Sequence, residues 1–205
     1  MFQVLKSGGI VMIPIIVCGI IATFIIFERW FFYSRCKKNE KKLYKEIKPL
    51  ILMRKYDEAI ALCGDTSVPA ASVLKTMIHS RNMATQDMKD KVSNEATRQI
   101  PQLEHLLTSL GTIANISTLL GLLGTVTGNI QAFGVLGEAG SMGNPALLAG
   151  AIGEALVTTA AGLIISIPSV IFYNHFSSEA NKSISELESQ VTDLMLIMEG
   201  KDISA

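Results

Sequence analysis

The chain has little of what a soluble active site draws on. Its 205 residues include three cysteines, Cys18, Cys36 and Cys63. They show no C-x-x-C spacing, and two of them are expected in a reducing compartment, so no disulfide framework or metal site is implied. No phosphate loop, nucleophile triad, metal-ligand spacing or dinucleotide fingerprint is present. No alternating strand pattern appears either. Lys+Arg and Asp+Glu both total 18, so there is no charge imbalance to draw the chain to nucleic acid. No cofactor, no metal and no enzymatic activity are expected.

Charge is also missing locally, and that absence organises the sequence. Ser7 to Phe27 carries none and ends at Glu28-Arg29-Trp30, where a basic and an aromatic residue suit the headgroup level. A cleaved signal peptide is the rival reading, but the apolar run is too long and lacks a small-x-small site before the basic cluster. A second charge-free run extends from His105 to Gly137, and a third from about Pro145 to Phe176, broken only by Glu154. About 20 apolar residues of helix cross the hydrocarbon core, so three spans are expected.

Arg35, Lys37, Lys38, Lys41, Lys42, Lys45 and Lys48 follow the first run, whereas only Lys6 precedes it. The positive-inside rule then puts the N-terminus in the periplasm and the C-terminus in the cytoplasm. The expected fold class is an all-α integral membrane protein with three transmembrane helices and long helical cytoplasmic extensions. Residues 1–33 form a periplasmic segment and the first span, and 34–107 a cytoplasmic helical domain. The second span is 108–137, a periplasmic loop 138–145, the third span 146–176 and a cytoplasmic C-terminal helix 177–205. Within the cytoplasmic part, helices are expected over Lys38–Met53, Lys55–Cys63 and Pro69–His79. Thr85-Gln-Asp-Met reads as the cap of a helix continuing from about Gln86 to about Leu136, with Pro101 kinking or weakening it.

Thr108, Thr112, Asn115, Thr118, Leu122, Thr125 and Asn129 recur at steps of three and four, so one stripe of the second span is almost wholly polar. Gly111, Ala114, Ser117, Gly121, Gly124 and Gly128 form a small stripe beside it, suited to close helix packing. The third span has Ala155, Thr159, Gly162, Ser166 and Ser169 in line, with Glu154 and Thr158 one position away. Facing hydroxyls from two helices can line a polar lumen. Each can equally bond the carbonyl four residues back in its own helix. The candidate pore-lining polar residues are Thr125, Thr159, Thr158, Asn129 and Ser166. Glu154 is the intramembrane acid, either lumen-facing or interfacial, and Pro168 is a kink or gate.

Leu120-Gly-Leu-Leu-Gly-Thr-Val126, Gly153-Glu-Ala-Leu-Val-Thr-Thr-Ala-Ala-Gly-Leu163 and Ile167-Pro-Ser-Val-Ile-Phe-Tyr-Asn174 together resemble the MotA/TolQ/ExbB proton-channel family. The match is closest to its three-span ExbB/TolQ branch. The resemblance implies an inner-membrane stator subunit that harnesses the proton motive force. Such a subunit assembles as a homo-pentamer, among membrane lipids, around a dimer of an ExbD/TolR-like single-span protein. It powers TonB- or TolA-dependent work such as outer-membrane transport. On that carry-over Thr125 and Thr159 match the hydroxyl ring of the pore, and Glu154 the acid that begins the third-span motif. Two departures, Thr127 where Trp is common and Thr158 where Ala is usual, add oxygen ligands that suit Na⁺ as well as a proton. The alternative is a non-conducting structural membrane scaffold, in which the same stripes serve only packing.

Overall fold

A computed structural model describes residues 9–66, 68–138, 145–198 and 200. Lys6, the interior of the 138–145 loop and residues 201–205 lie outside the described residues. Among the described residues six helices follow one another and there is no strand: α1 Met12–Leu52, α2 Tyr56–Gly64, α3 Pro69–His79, α4 Thr85–Glu104, α5 Leu107–Glu138 and α6 Pro145–Met198. Stretches of α1, α5 and α6 are long and apolar enough to cross a membrane. At 1.5 Å per residue the 41 residues of α1 reach about 60 Å and the 54 of α6 about 80 Å. Both exceed a hydrocarbon core of about 30 Å.

The chain divides into two compact units. One comprises Met1–Glu28 and Leu106–His175, the other Arg29–His105 and Phe176–Ala205. Their interiors obey opposite rules. In the first, the buried positions of α5 and the adjoining part of α6 are mostly small, including Ala114, Ser117, Ala132, Ala155, Thr158 and Ser169. Large side chains such as Phe24, Leu119, Phe133 and Ile164 point outward. That inversion is the membrane rule: with no water to exclude, helices gain by bringing backbones close and leaving bulky groups to the lipid. In the second unit Leu43, Ile47, Leu74, Met77, Ile78, Phe176 and Leu194 are almost fully buried, as in a water-soluble core.

Local chemistry explains the boundaries in the second unit. α1 runs through the expected 33/34 division because nothing between Phe27 and Lys48 breaks a helix; Pro49 arrives only in its last turn. It ends in a Schellman motif, with Arg54 at φ 58° and Lys55 and Arg54 donating N–H bonds to Leu50 and Ile51 at 2.8 and 3.0 Å. Pro69 opens α3 at a position whose N–H needs no partner. Thr85 is the first residue of α4 rather than its cap, the cap position being Ala84.

The expected continuous helix from about Gln86 to about Leu136 is two helices. The interruption lies at His105-Leu106, not at Pro101, which α4 absorbs. Leu106 sits at φ 63°, a left-handed conformation that a branched residue adopts only under constraint. The constraint is visible in the second unit: Tyr33 Oη donates to the Leu103 carbonyl at 2.7 Å and Arg29 Nη1 to the same oxygen at 3.4 Å. Arg29 Nη2 lies 3.4 Å from His105 Nδ1, and the guanidinium stands 4.5 Å over the Phe32 ring. Arg29 is therefore buried, 3% exposed.

Candidate functional site in the membrane-spanning unit

The α5 and α6 backbones meet through their small residues. A Cβ added to Gly121 would stand 3.3 Å from the Thr159 carbonyl oxygen, and one on Gly162 would strike the Ser117 carbonyl. Gly124 receives the Thr158 side chain and Gly128 the Ala155 methyl. Small side chains on both helices make this approach possible.

Close approach draws several predicted site residues into the seam. Thr159 Oγ1 donates to the Gly121 carbonyl at 2.7 Å and lies 3.2 Å from that of Ala155. Thr118 Oγ1 donates to Ser166 Oγ at 2.7 Å. Thr158 Oγ1 and Ser169 Oγ return to their own helix, to Glu154 and Ile165 carbonyls at 2.8 and 2.7 Å. Thr158, Ser166 and Ser169 are buried within one chain, while Thr159 is half-buried.

The polar stripe of α5 is largely uncovered. Thr108, Thr112, Asn115, Thr118 and Asn129 are exposed and Thr125 half-exposed. Thr112 and Thr125 quiet their hydroxyls on the carbonyls of Thr108 and Leu122, at 2.8 and 2.6 Å. A carboxamide has no comparable escape within the helix, and leaving one unpaired in hydrocarbon costs a few kcal/mol. A membrane helix that shows Asn115 and Asn129 on one face is therefore built to set that face against water or protein.

Glu154 is half-buried, its carboxyl group packed against Gly9, at φ 61°, just before the first turn of α1. Pro168 is exposed inside an uninterrupted α6. Among the described residues no three His, Cys, Asp or Glu side chains converge as metal ligands would. Two features escape sequence reasoning. The pairing of Tyr33 and Arg29 with Leu103 is a long-range contact that no local pattern encodes. Ser117, read as one more small residue, keeps a hydroxyl that is fully buried and has no partner.

A helical protein with three apolar spans joined by a small-residue seam belongs among multi-pass membrane proteins. The model of the MotA/TolQ/ExbB proton channel family matches residues 65–189, and the chain belongs to that family. Several similar proteins carry ExbB names. The putative biopolymer transport protein ExbB-like 3 of Synechocystis sp. is 25% identical over 192 residues, 93% of this chain and 91% of the relative. Biopolymer transport protein exbB1 of Vibrio cholerae is 43% identical over 101 residues, 49% of this chain and 42% of the relative. Biopolymer transport protein ExbB of Neisseria gonorrhoeae is 35% identical over 104 residues, 51% of this chain and 47% of the relative. The Vibrio and Neisseria alignments thus take in less than half of those proteins.

Proposed function

We propose that the chain is the ion-conducting stator subunit of an inner-membrane energy-transducing complex, with its N-terminus in the periplasm and protons as the coupling ion. The observation that carries this reading is the uncovered stripe Thr112, Asn115, Thr125, Asn129 on a membrane-spanning helix. Copies arranged around an axis would turn that stripe inward and line a polar lumen, with Thr159 contributing from α6. A proton path also needs a group that titrates in mid-membrane. This chain offers only Glu154, whose carboxyl lies at the start of α1. A partner must then bring the titrating carboxylate, and the family assignment fits an ExbD/TolR-like single-span dimer inside a homo-pentamer. Each proton crossing 100 mV releases about 2.3 kcal/mol, so several per working stroke are needed to move a TonB- or TolA-like protein.

The scaffold reading draws on a different observation: Thr158, Ser166 and Ser169 satisfy their hydroxyls inside one chain, as packing alone would require. Native mass spectrometry of the complex extracted from its own membrane separates the two. Five copies with two co-purifying single-span chains are expected; a homo-oligomer without such chains, or another ring size, favours the scaffold.

A further inference from the structure

In the second unit α4 and the C-terminal part of α6 leave a groove between them, a hollow of about 430 Å³. Its floor is apolar, with Val92, Leu187, Val191 and Met195 buried at its base. Its rims carry one charge each, Glu188 on α6 and Lys89 on α4. Among the described residues Glu188 has no ionic partner. α6 meets α1 on another side, where Glu179 takes Lys37 at 3.1 Å and Tyr44 Oη donates to Asp193 at 3.5 Å. Glu188 follows Glu179 by about two and a half turns, so the groove opens on the side of α6 turned away from α1. α1 of the same chain cannot fill it.

α1 in turn has a face without cover. Leu43, Ile47 and Ile51 turn inward. Lys45 and Leu52 stand about two turns apart on one side of the helix and point away from that core. Leu52 is 58% exposed and the adjoining Met53 68%, two large apolar side chains together in a unit whose interior follows the rules of a water-soluble core. Lys45 is exposed and, among the described residues, has no ionic partner.

We propose that this face of α1 seats in the α4–α6 groove of a neighbouring copy, with Leu52 and Met53 against Met195 and Lys45 beside Glu188. Level decides which residues can meet. Within one chain the contacts that join α1 to α6, Tyr33–Phe176, Lys37–Glu179 and Tyr44–Asp193, pair residues 142–149 positions apart. Residues with that separation lie at one level, within about a turn, along two helices that run the same way. Lys45 and Glu188 are 143 positions apart, and so are Leu52 and Met195. Rotation about an axis parallel to the helices carries one copy onto the next without changing level, so both pairs come opposite each other together. The apolar pair and the charged pair then support one register. Groove and α1 face are different surfaces of the chain, so the contact is heterologous, and its repetition around an axis closes a ring. The inference rests on the reading that copies surround such an axis, and it names a surface of the second unit that joins them.

The test uses two differently tagged full-length chains co-expressed in one membrane, Leu52→Cys in one and Thr192→Cys, on the α6 rim of the groove, in the other. A short bismaleimide is expected to link the two tags, well above the background from Cys18, Cys36 and Cys63 in the wild-type chain. Charge reversal is the second arm. Lys45→Glu is expected to lower the intact complex several-fold in native mass spectrometry, and Glu188→Lys in the same chain to restore most of it. Both residues are exposed, so neither change disturbs the core. Rings that stay intact with no link between the tags overturn this interface and leave the assembly reading standing. Copies that never associate overturn both. A Thr192→Cys that links only to a co-purifying single-span chain also overturns it, since the groove then belongs to that partner.

Discussion

At the scale of single residues, the positive φ angles of Arg54 and Leu106 mark where tertiary structure overrides local preference. Arg54 takes φ 58° to close α1, and its neighbours complete the two bonds of a Schellman motif, so the geometry needs only the backbone. Arg54→Gly removes the clash of Cβ with the carbonyl and is expected to stabilise the folded chain by about 1 kcal/mol, read as a raised melting temperature in detergent. Thiol chemistry offers a second residue-scale test. Burial pushes the Cys63 thiol up to about 11, with Lys75 nearby pulling it partly back. A thiol reacts as the thiolate, so maleimide at pH 8 is expected to label Cys63 far more slowly in the folded protein than after denaturation. Labelling at equal rates would mean that the α2 end is open to solvent.

At the scale of elements, what was legible in the sequence depended on whether the signal was local. The three spans, the helices of the second unit and the small stripe facing α6 are written in runs and periods of nearby residues, and the structure returns them. The break between α4 and α5 is not local. Pro101 is the obvious breaker, yet one missing N–H is tolerated in α4. The chain turns instead at Leu106, where neither proline nor glycine stands and where Tyr33 and Arg29 reach the Leu103 carbonyl from far along the sequence. Tyr33→Phe keeps the ring stacked on Phe176, centroids 5.6 Å apart, but withdraws the better donor from a buried carbonyl. A loss of about 1–2 kcal/mol is expected in thermal unfolding, the long Arg29 bond covering part of the deficit. In the α5–α6 seam the test is steric: Gly124→Ala drives a methyl into Thr158 and is expected to cost about 1–3 kcal/mol. Thr158→Gly should recover part of that, because both the Cβ and the methyl of Thr158 meet the added group; additive losses in the double variant would mean that the helices do not pack as described.

At the scale of the whole molecule, the sequence placed five polar residues in one candidate pore, and the fold distributes them over two surfaces. Periodicity tells which residues share a face of one helix but not which face another helix will cover. Thr158 and Ser166 are buried in the seam, Thr125 and Asn129 look outward from α5, and Thr159 serves both, half-exposed while bonded to Gly121. This distribution decides which substitution tests conduction. Thr159→Val is close in size but removes a bond between helices, so a loss of activity after it mixes packing with transport. Thr125 bonds only the Leu122 carbonyl of its own turn, at 2.6 Å, and that carbonyl keeps its helical partner when the hydroxyl goes. Thr125→Val is therefore expected to leave the copy number and melting temperature of the complex unchanged while proton flux into liposomes falls. Thr159→Val is expected to lower both flux and melting temperature. A scaffold predicts that activity follows assembly in each variant, so a Thr125→Val complex that is intact and fully active would remove the stripe from the conduction path.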